Sequence, residues 1–171
     1  IQGAIFKSKA EAEVKNNHDL FQASINSIDQ AFFLLDKDDN ITYLNEKAEA
    51  LTERNITDVA GQKADAILPL YSKETDELYS FARLKAASEQ ELLAAELILK
   101  TKEISIPVGD LVLKQIQVKE NKICTLFLFK EIGDRIKARE LEDELEKRRI
   151  TSLIEGQEHE RSRLAREIHD G

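Results

Sequence analysis

Residues 25–52, INSIDQAFFLLDKDDNITYLNEKAEALT, decide the fold. Ala31 to Leu35 is an apolar run with Asp36 at its end, and Ile41 to Leu44 is a second strand-like run. Between them stand Asp38, Asp39 and Asn40, residue types whose short side chains supply turn conformations, so the two runs read as an antiparallel hairpin. Asn45 follows at the position where a side-chain oxygen caps the helix EKAEALTE. The stretch is a hairpin that runs straight into a short helix.

Working outward toward the C-terminus, Gly61 follows ITDVA, where a short helix needs a left-handed terminator. KETDELYSFARLKAA reads as a longer helix with Leu78, Phe81, Ala82, Leu84 and Ala86 on its inner side. Three strands come next: AAELILKTKEISI, DLVLKQIQVK and ICTLFLFKEI, the last two joined through Glu120, Asn121 and Lys122. ICTLFLF, residues 123–129, is apolar at almost every position rather than alternating, which predicts a strand covered on both faces. Upstream, Val14, His18, Phe21, Ile25 and Ile28 repeat at spacings of four and three, with Leu20 beside them. This narrow seam predicts a helix from about Lys9 to Ser24, with His18 packed at a helix interface. The Phe21 side of that helix is the expected cover for the outer face of the sheet.

Composition removes several classes of function. A formal charge of −8 repels nucleic acid, and the basic cluster Arg161, Arg163 and Arg166 alternates with Glu158, Glu160 and Glu167. The single cysteine, Cys124, lies in an apolar strand, which excludes a disulfide framework or thiolate zinc site and agrees with a reducing compartment. The three histidines, His18, His159 and His169, are far apart, so no metal site is expected. No apolar run reaches a membrane span and no signal peptide opens the chain, so the expectation is a soluble, cytoplasmic piece whose parent could be anchored upstream of Ile1.

The order of hairpin, helices and three strands resembles a Per-Arnt-Sim (PAS) sensor domain over about Ile25 to Gly133. The likeness rests on residues 25–52, on VAGQKADAILP with its Gly61, and on FLFKEIGDRIKAREL, where Glu131-Ile132-Gly133 replaces the family's usual Asp-Ile-Thr exit. The resemblance implies an α+β fold: a five-stranded antiparallel sheet with helices on one face, flanked by the N-terminal helix and a long C-terminal one. PAS domains often hold a ligand between sheet and helices. Here no histidine lies between His18 and His159 to ligate a haem iron, and Cys124 is on a strand rather than the helix a photoreactive flavin would need. Haem and covalent flavin are disfavoured; a small apolar or anionic ligand, or none, is left. Cys124 reads as a buried hydrophobe rather than a redox sensor.

After Gly133 the sequence becomes one long charged helix. Ala138, Leu141 and Leu145 keep heptad spacing; Ile150, Leu153 and Ile154 resume the stripe after a five-residue step, and Gln157, Arg161, Leu164 and Ile168 continue it. So narrow a stripe cannot be buried by one helix, which predicts a parallel homodimer. The chain closes on EHERSRLAREIHDG. The run Glu160, Arg161, Arg163, Leu164, Ala165, Arg166, Glu167, Ile168, His169, Asp170, Gly171 is similar to the phosphoacceptor box of sensor histidine kinases of the nitrate-sensor-like class, whose dimerisation and histidine-phosphotransfer domain is called subgroup three.

That resemblance makes His169 the residue that accepts the γ-phosphoryl group of ATP and passes it to an aspartate of a response regulator. The chemistry agrees, since imidazole is substantially neutral at cellular pH and can attack phosphorus without a strong base. Asp170 is the orienting acid–base partner of the ring. The reading divides the chain into an N-terminal linker helix (1–24), a PAS sensor domain (25–133), a coiled-coil signalling helix (134–158) and the truncated start of a phosphotransfer domain (159–171). ATP and magnesium belong to an ATP-binding kinase domain of the parent protein, because no phosphate-cradling loop occurs in these residues, and the chain by itself is expected to be inactive. The alternative is a non-catalytic PAS dimerisation or interaction module.

Overall fold

The computed structural model describes residues 2–170, so the Gly171 that closes the acceptor motif lies outside the described residues. The chain divides into two compact units, one ending at Glu131 and one starting at Ile132. The first holds α1 (Gln2–Asn26), β1 (Ala31–Leu35), β2 (Ile41–Leu44), α2 (Glu46–Thr52), α3 (Ile56–Val59), α4 (Ala64–Ile67), β3 (Leu70–Ser72), α5 (Phe81–Ala86), α6 (Glu89–Ala94), β4 (Leu97–Lys100), β5 (Ser105–Val118) and β6 (Lys122–Glu131). The second is α7 (Gly133–Asp170).

All strands join one antiparallel sheet in the order β2-β1-β6-β5-β4-β3. The β1–β2 hairpin forms where the Asp and Asn residues place it. The Asp36 carboxylate accepts from the backbone N–H of Asp38 and of Asn40, each at 2.9 Å, and from the Asn40 side chain at 2.9 Å. Asp39 takes a positive φ of 63° to close the turn, a conformation Asp adopts more easily than most residues. β1 lands beside β6, the last strand, with Phe33 opposite Phe127 and Ala31 opposite Phe129. The β5–β6 hairpin turns through Glu120 and Asn121, both at positive φ, 64° and 61°.

The core lies between the inner face of the sheet and α2–α6. Phe33, Phe81, Phe127 and Phe129 are fully buried, the Phe33 and Phe129 rings stack at 5.4 Å, and Phe81 meets Phe127 edge-on at 5.1 Å. Leu35, Ile41, Leu68, Leu70, Leu84, Leu99 and Leu111 close around them. Apolar burial on this scale, at about 1.5–3 kcal/mol for each large side chain, holds the domain together.

The sheet has six strands rather than the expected five, because Leu70–Ser72 adds a short strand beside β4, and the segment expected to be one helix from Lys73 first folds back along it. Tyr79 N–H donates to Leu70 O at 2.7 Å and Ser72 N–H to Glu77 O at 2.9 Å, which draws residues 77–79 alongside β3. The helix is delayed until Ser80 can cap it, its hydroxyl accepting from Arg83 N–H at 3.3 Å, and Leu78 is left exposed. AAELILKTKEISI likewise is not one strand. Thr101 turns the chain there: its N–H donates to Ile104 O at 2.8 Å and its hydroxyl accepts from Ile104 N–H at 3.1 Å. β4 ends before that turn and β5 begins after it.

α1 is longer than its periodicity suggested and covers less of the sheet. Phe21 packs on Tyr43 of β2 with ring centroids 5.8 Å apart, yet it stays 45% exposed. Ile116, Val118 and Ile123, near the tip of the β5–β6 hairpin, remain exposed as well. His18 is exposed rather than packed.

Candidate functional site

The end of α1 is tied into the domain by one side chain. Asn45 is 1% exposed, and its amide has a partner for each of its groups. Oδ1 accepts from Phe32 N–H at 3.0 Å and from Ala48 N–H at 2.9 Å, so it is both a ladder partner for β1 and the N-cap of α2. Nδ2 donates to Ile25 O at 3.2 Å and to Gln30 O at 3.0 Å. A single buried amide therefore fixes the last turn of α1, the entry to β1 and the start of α2 relative to one another. Asn26 reinforces the joint, its Oδ1 accepting from Glu46 N–H at 3.1 Å. On the surface beside it, the Asp29 carboxylate bridges Lys47 at 2.8 Å and Lys130 at 3.1 Å. Those two ammonium groups, Lys47 first, hold the Asp29 carboxyl below its ordinary value.

The sequence pointed to Asn45 only as a helix cap. Its second role could not be read, because the carbonyls that Nδ2 meets are 15 and 20 residues upstream. α6 was missed altogether, although Ser88-Glu-Gln-Glu91 before Leu92 carries the signal: Ser88 and Glu91 form a reciprocal capping box.

The interior between sheet and helices is filled by the four phenylalanines, with Leu35, Leu99 and Leu111 buried beside them and Leu113 packed at the edge. Cys124 does not look into it. Phe127 and Phe129 face the core on alternate positions of β6, which turns Cys124 to the opposite face, opposite Ile116 of β5.

In the second unit, α7 runs unbroken from Gly133 to Asp170, through the five-residue step between Leu145 and Ile150. Leu141, Leu145, Ile150, Leu153, Ile154, Leu164 and Ile168 are all exposed along it. His169 and Asp170 stand on its last turn, exposed to solvent. Leu164 and Ile168 are four apart on one stripe, and His169 lies about 100° round from Ile168. Arg163 is held on both sides, by Glu160 at 2.7 Å and Glu167 at 3.6 Å. Arg166 and Asp170, also four apart, form no ion pair among the described residues. No cluster of His, Cys, Asp and Glu suited to a metal occurs among the described residues, and no helix there is long and apolar enough to cross a membrane.

A curled antiparallel sheet with short helices on its inner face and a long helix after its last strand is the PAS architecture. Residues 19–102 match the family model described as the PAS fold, and the six-stranded domain has that fold. Among solved structures, the chain is similar to the PAS domain of an HTR-like protein from Haloarcula marismortui, with 16% identity, a TM-score of 0.54, and coverage of 73% of this chain and 99% of that one. It is also similar to a chain of the E. coli DhaR(N)-DhaL complex, with 17% identity, a TM-score of 0.50, and coverage of 73% of this chain and 39% of that one. An RNA-binding light-oxygen-voltage receptor shows 12% identity, a TM-score of 0.52, and coverage of 75% and 37%. At these identities the likeness is one of fold. No curated protein gives a significant match.

Proposed function

We propose that this chain is the sensory input and phosphoacceptor portion of a two-component sensor histidine kinase. His169 accepts the γ-phosphoryl group of ATP and donates it to a response-regulator aspartate. The observation that carries the reading is the last turns of α7: the resemblance to the acceptor box runs from Glu160 to Asp170 on one continuous helix, and His169 and Asp170 are both exposed at its end. A nucleotide-bearing domain and a regulator can each reach an imidazole placed there.

Mechanistically, the unprotonated ring nitrogen of His169 is the nucleophile, and Asp170 orients the ring and takes up the proton of the other nitrogen. Mg-ATP is held by the ATP-binding domain of the parent protein, which neutralises the charge of the transferring group. Two copies pair through the exposed stripe of α7, in parallel, and the site of reaction is cytoplasmic. The PAS core carries neither haem nor covalent flavin, since its lining offers no histidine and Cys124 faces away from it; the purified protein is accordingly colourless.

The test is radiolabelling. The chain alone with Mg-ATP takes up no phosphate, whereas the chain extended through its native ATP-binding domain acquires an acid-labile, base-stable adduct. His169→Gln abolishes that label and His159→Gln leaves it. Asp170→Asn slows labelling by about ten- to a thousandfold, the range of an acid–base partner. Label that survives His169→Gln overturns the assignment and leaves the second reading, a PAS module that only dimerises, which the uncovered apolar stripe of α7 would equally serve.

A further inference from the structure

His169 has a neighbour whose side chain is left without a task. On a helix, side chains lean toward the N-terminus and lie over the residues three and four before them, so the His169 ring leans over Ala165 and Arg166. Ala165 is the smallest side chain that could stand there without breaking the helix, and it leaves the space beside the ring open. Arg166 is about 60° from His169 around the helix axis and one turn below it. The three arginines of this segment differ in their partners and in their reach: the Arg161 side chain has no partner among the described residues either, but it stands eight residues before His169, more than two helical turns away. Arg163 has its charge met by Glu160 at 2.7 Å and Glu167 at 3.6 Å. The Arg166 side chain has no ion pair or hydrogen bond among the described residues, and Asp170, four residues on, does not take it.

We propose that Arg166 binds the phosphoryl oxygens at His169, holding the incoming group in line with the ring and stabilising the phosphohistidine once formed. The proposal rests on the reading of His169 as acceptor and assigns that site its anion-binding group. In the reaction with Mg-ATP, the lone pair of a His169 ring nitrogen forms the new P–N bond. The bond from the γ-phosphorus to the bridging oxygen breaks with its electrons on ADP, and the proton of the other ring nitrogen passes to Asp170. Arg166 gives and takes no proton. Its planar guanidinium presents two parallel donors to two equatorial phosphoryl oxygens, which a lysine cannot do. The free Asp170 carboxylate and the free Arg166 guanidinium thus divide the work, one on the ring and one on the phosphorus.

The experiment uses the chain as it stands, with phosphoramidate as the phosphoryl donor. This donor modifies imidazoles directly: its P–N bond breaks, a P–N bond to the ring forms and ammonia leaves. His18 and His159 are exposed on the same chain and serve as internal standards, the adduct at each histidine being followed by mass spectrometry of peptides. His169 should label about tenfold faster than either, the size of one charge-assisted hydrogen bond. Arg166→Gln should bring its rate down to theirs, Arg166→Lys should give an intermediate rate, and Arg163→Gln should leave the ratio unchanged. A ratio untouched by Arg166→Gln, or lowered equally by Arg163→Gln, overturns the proposal, as does a His169 rate no greater than that of His159 in the unmodified chain. The acceptor reading is judged separately by labelling from ATP in the extended protein: label at His169 there, with no effect of Arg166→Gln in either assay, removes the role of Arg166 alone.

Discussion

The PAS core and α7 bury their apolar side chains to opposite degrees. In the first, Phe33, Phe81, Phe127 and Phe129 are fully enclosed by their own chain. In the second, a helix of 38 residues has one buried residue, Ile136, and a row of leucines and isoleucines in water. Amphipathic helices are stabilised mostly by packing of their apolar face rather than by intrinsic propensity. The core therefore holds its own apolar side chains, whereas the stripe of α7 is left uncovered by its own chain, and on the proposed reading a second copy covers it. The proposed sensor role needs that division: one part that keeps its shape, and one whose packing can change.

The comparison is broken most severely by emptying the core. Phe127→Ala removes the ring that meets Phe33, Phe81 and Phe129, and should cost the PAS domain about 3–5 kcal/mol in urea denaturation. Leu145→Ala on the exposed stripe should leave that transition where it is. Equal losses from the two substitutions would mean that the helix and the core are not energetically distinct.

Asn45 comes next. Asn45→Ala strands the buried Phe32 N–H and the Gln30 carbonyl and leaves the Ile25 carbonyl with the Ile28 N–H alone, for a loss of about 2–4 kcal/mol. Asn45→Asp is the sharper variant. It keeps the acceptor for Phe32 and Ala48 but sets a second oxygen against two carbonyls, so it should rescue little of the loss. Full rescue by Asp would show that capping α2 is the whole role of the residue.

Leu141→Glu with Leu145→Glu places like charges in the stripe and should convert a dimer to a monomer by light scattering, with the urea midpoint of the PAS domain shifted by no more than about 0.5 kcal/mol, as for a surface change. A monomeric unmodified chain would end the coiled-coil account.

The smallest effect is the pH dependence at Asp29. Lys47 and Lys130 lower its carboxyl in the folded state, so the unfolded chain binds a proton more readily than the folded one as the solution is acidified. The stabilisation is complete above the ordinary carboxylate value of 3.8 and fades as pH falls through the lower folded value. Asp29→Asn should remove that increment and flatten the acid limb slightly. A steeper limb in the variant would contradict the sign.

How much of this was legible in the sequence follows from the range of each interaction. The hairpin at Asp36 to Asn40, the cap at Asn45 and the left-handed Gly61 are local chemistry, and they are where the sequence placed them. β3 and the late start of α5 were not legible, since they depend on Tyr79 finding the carbonyl of Leu70 against a sequence that also suits a helix. The turn at Thr101 and the capping box at Ser88 had local signals that apolar periodicity overshadowed. For the candidate site the position is reversed. His169 and Asp170 were visible as a motif, while the contrast between a partnered Arg163 and an unpartnered Arg166 needed side chains in space.

The central claim, a self-sufficient core joined to a helix that depends on a partner, is tested most directly by amide hydrogen exchange read segment by segment over a wide range of protein concentration. Amides of β1 and β6 should keep the same protection throughout. Those of α7 around Leu141 to Leu164 should gain protection as concentration rises and lose the gain in the Leu141→Glu, Leu145→Glu variant. Protection of α7 that is high and independent of concentration, in the unmodified chain and the variant alike, would contradict the account.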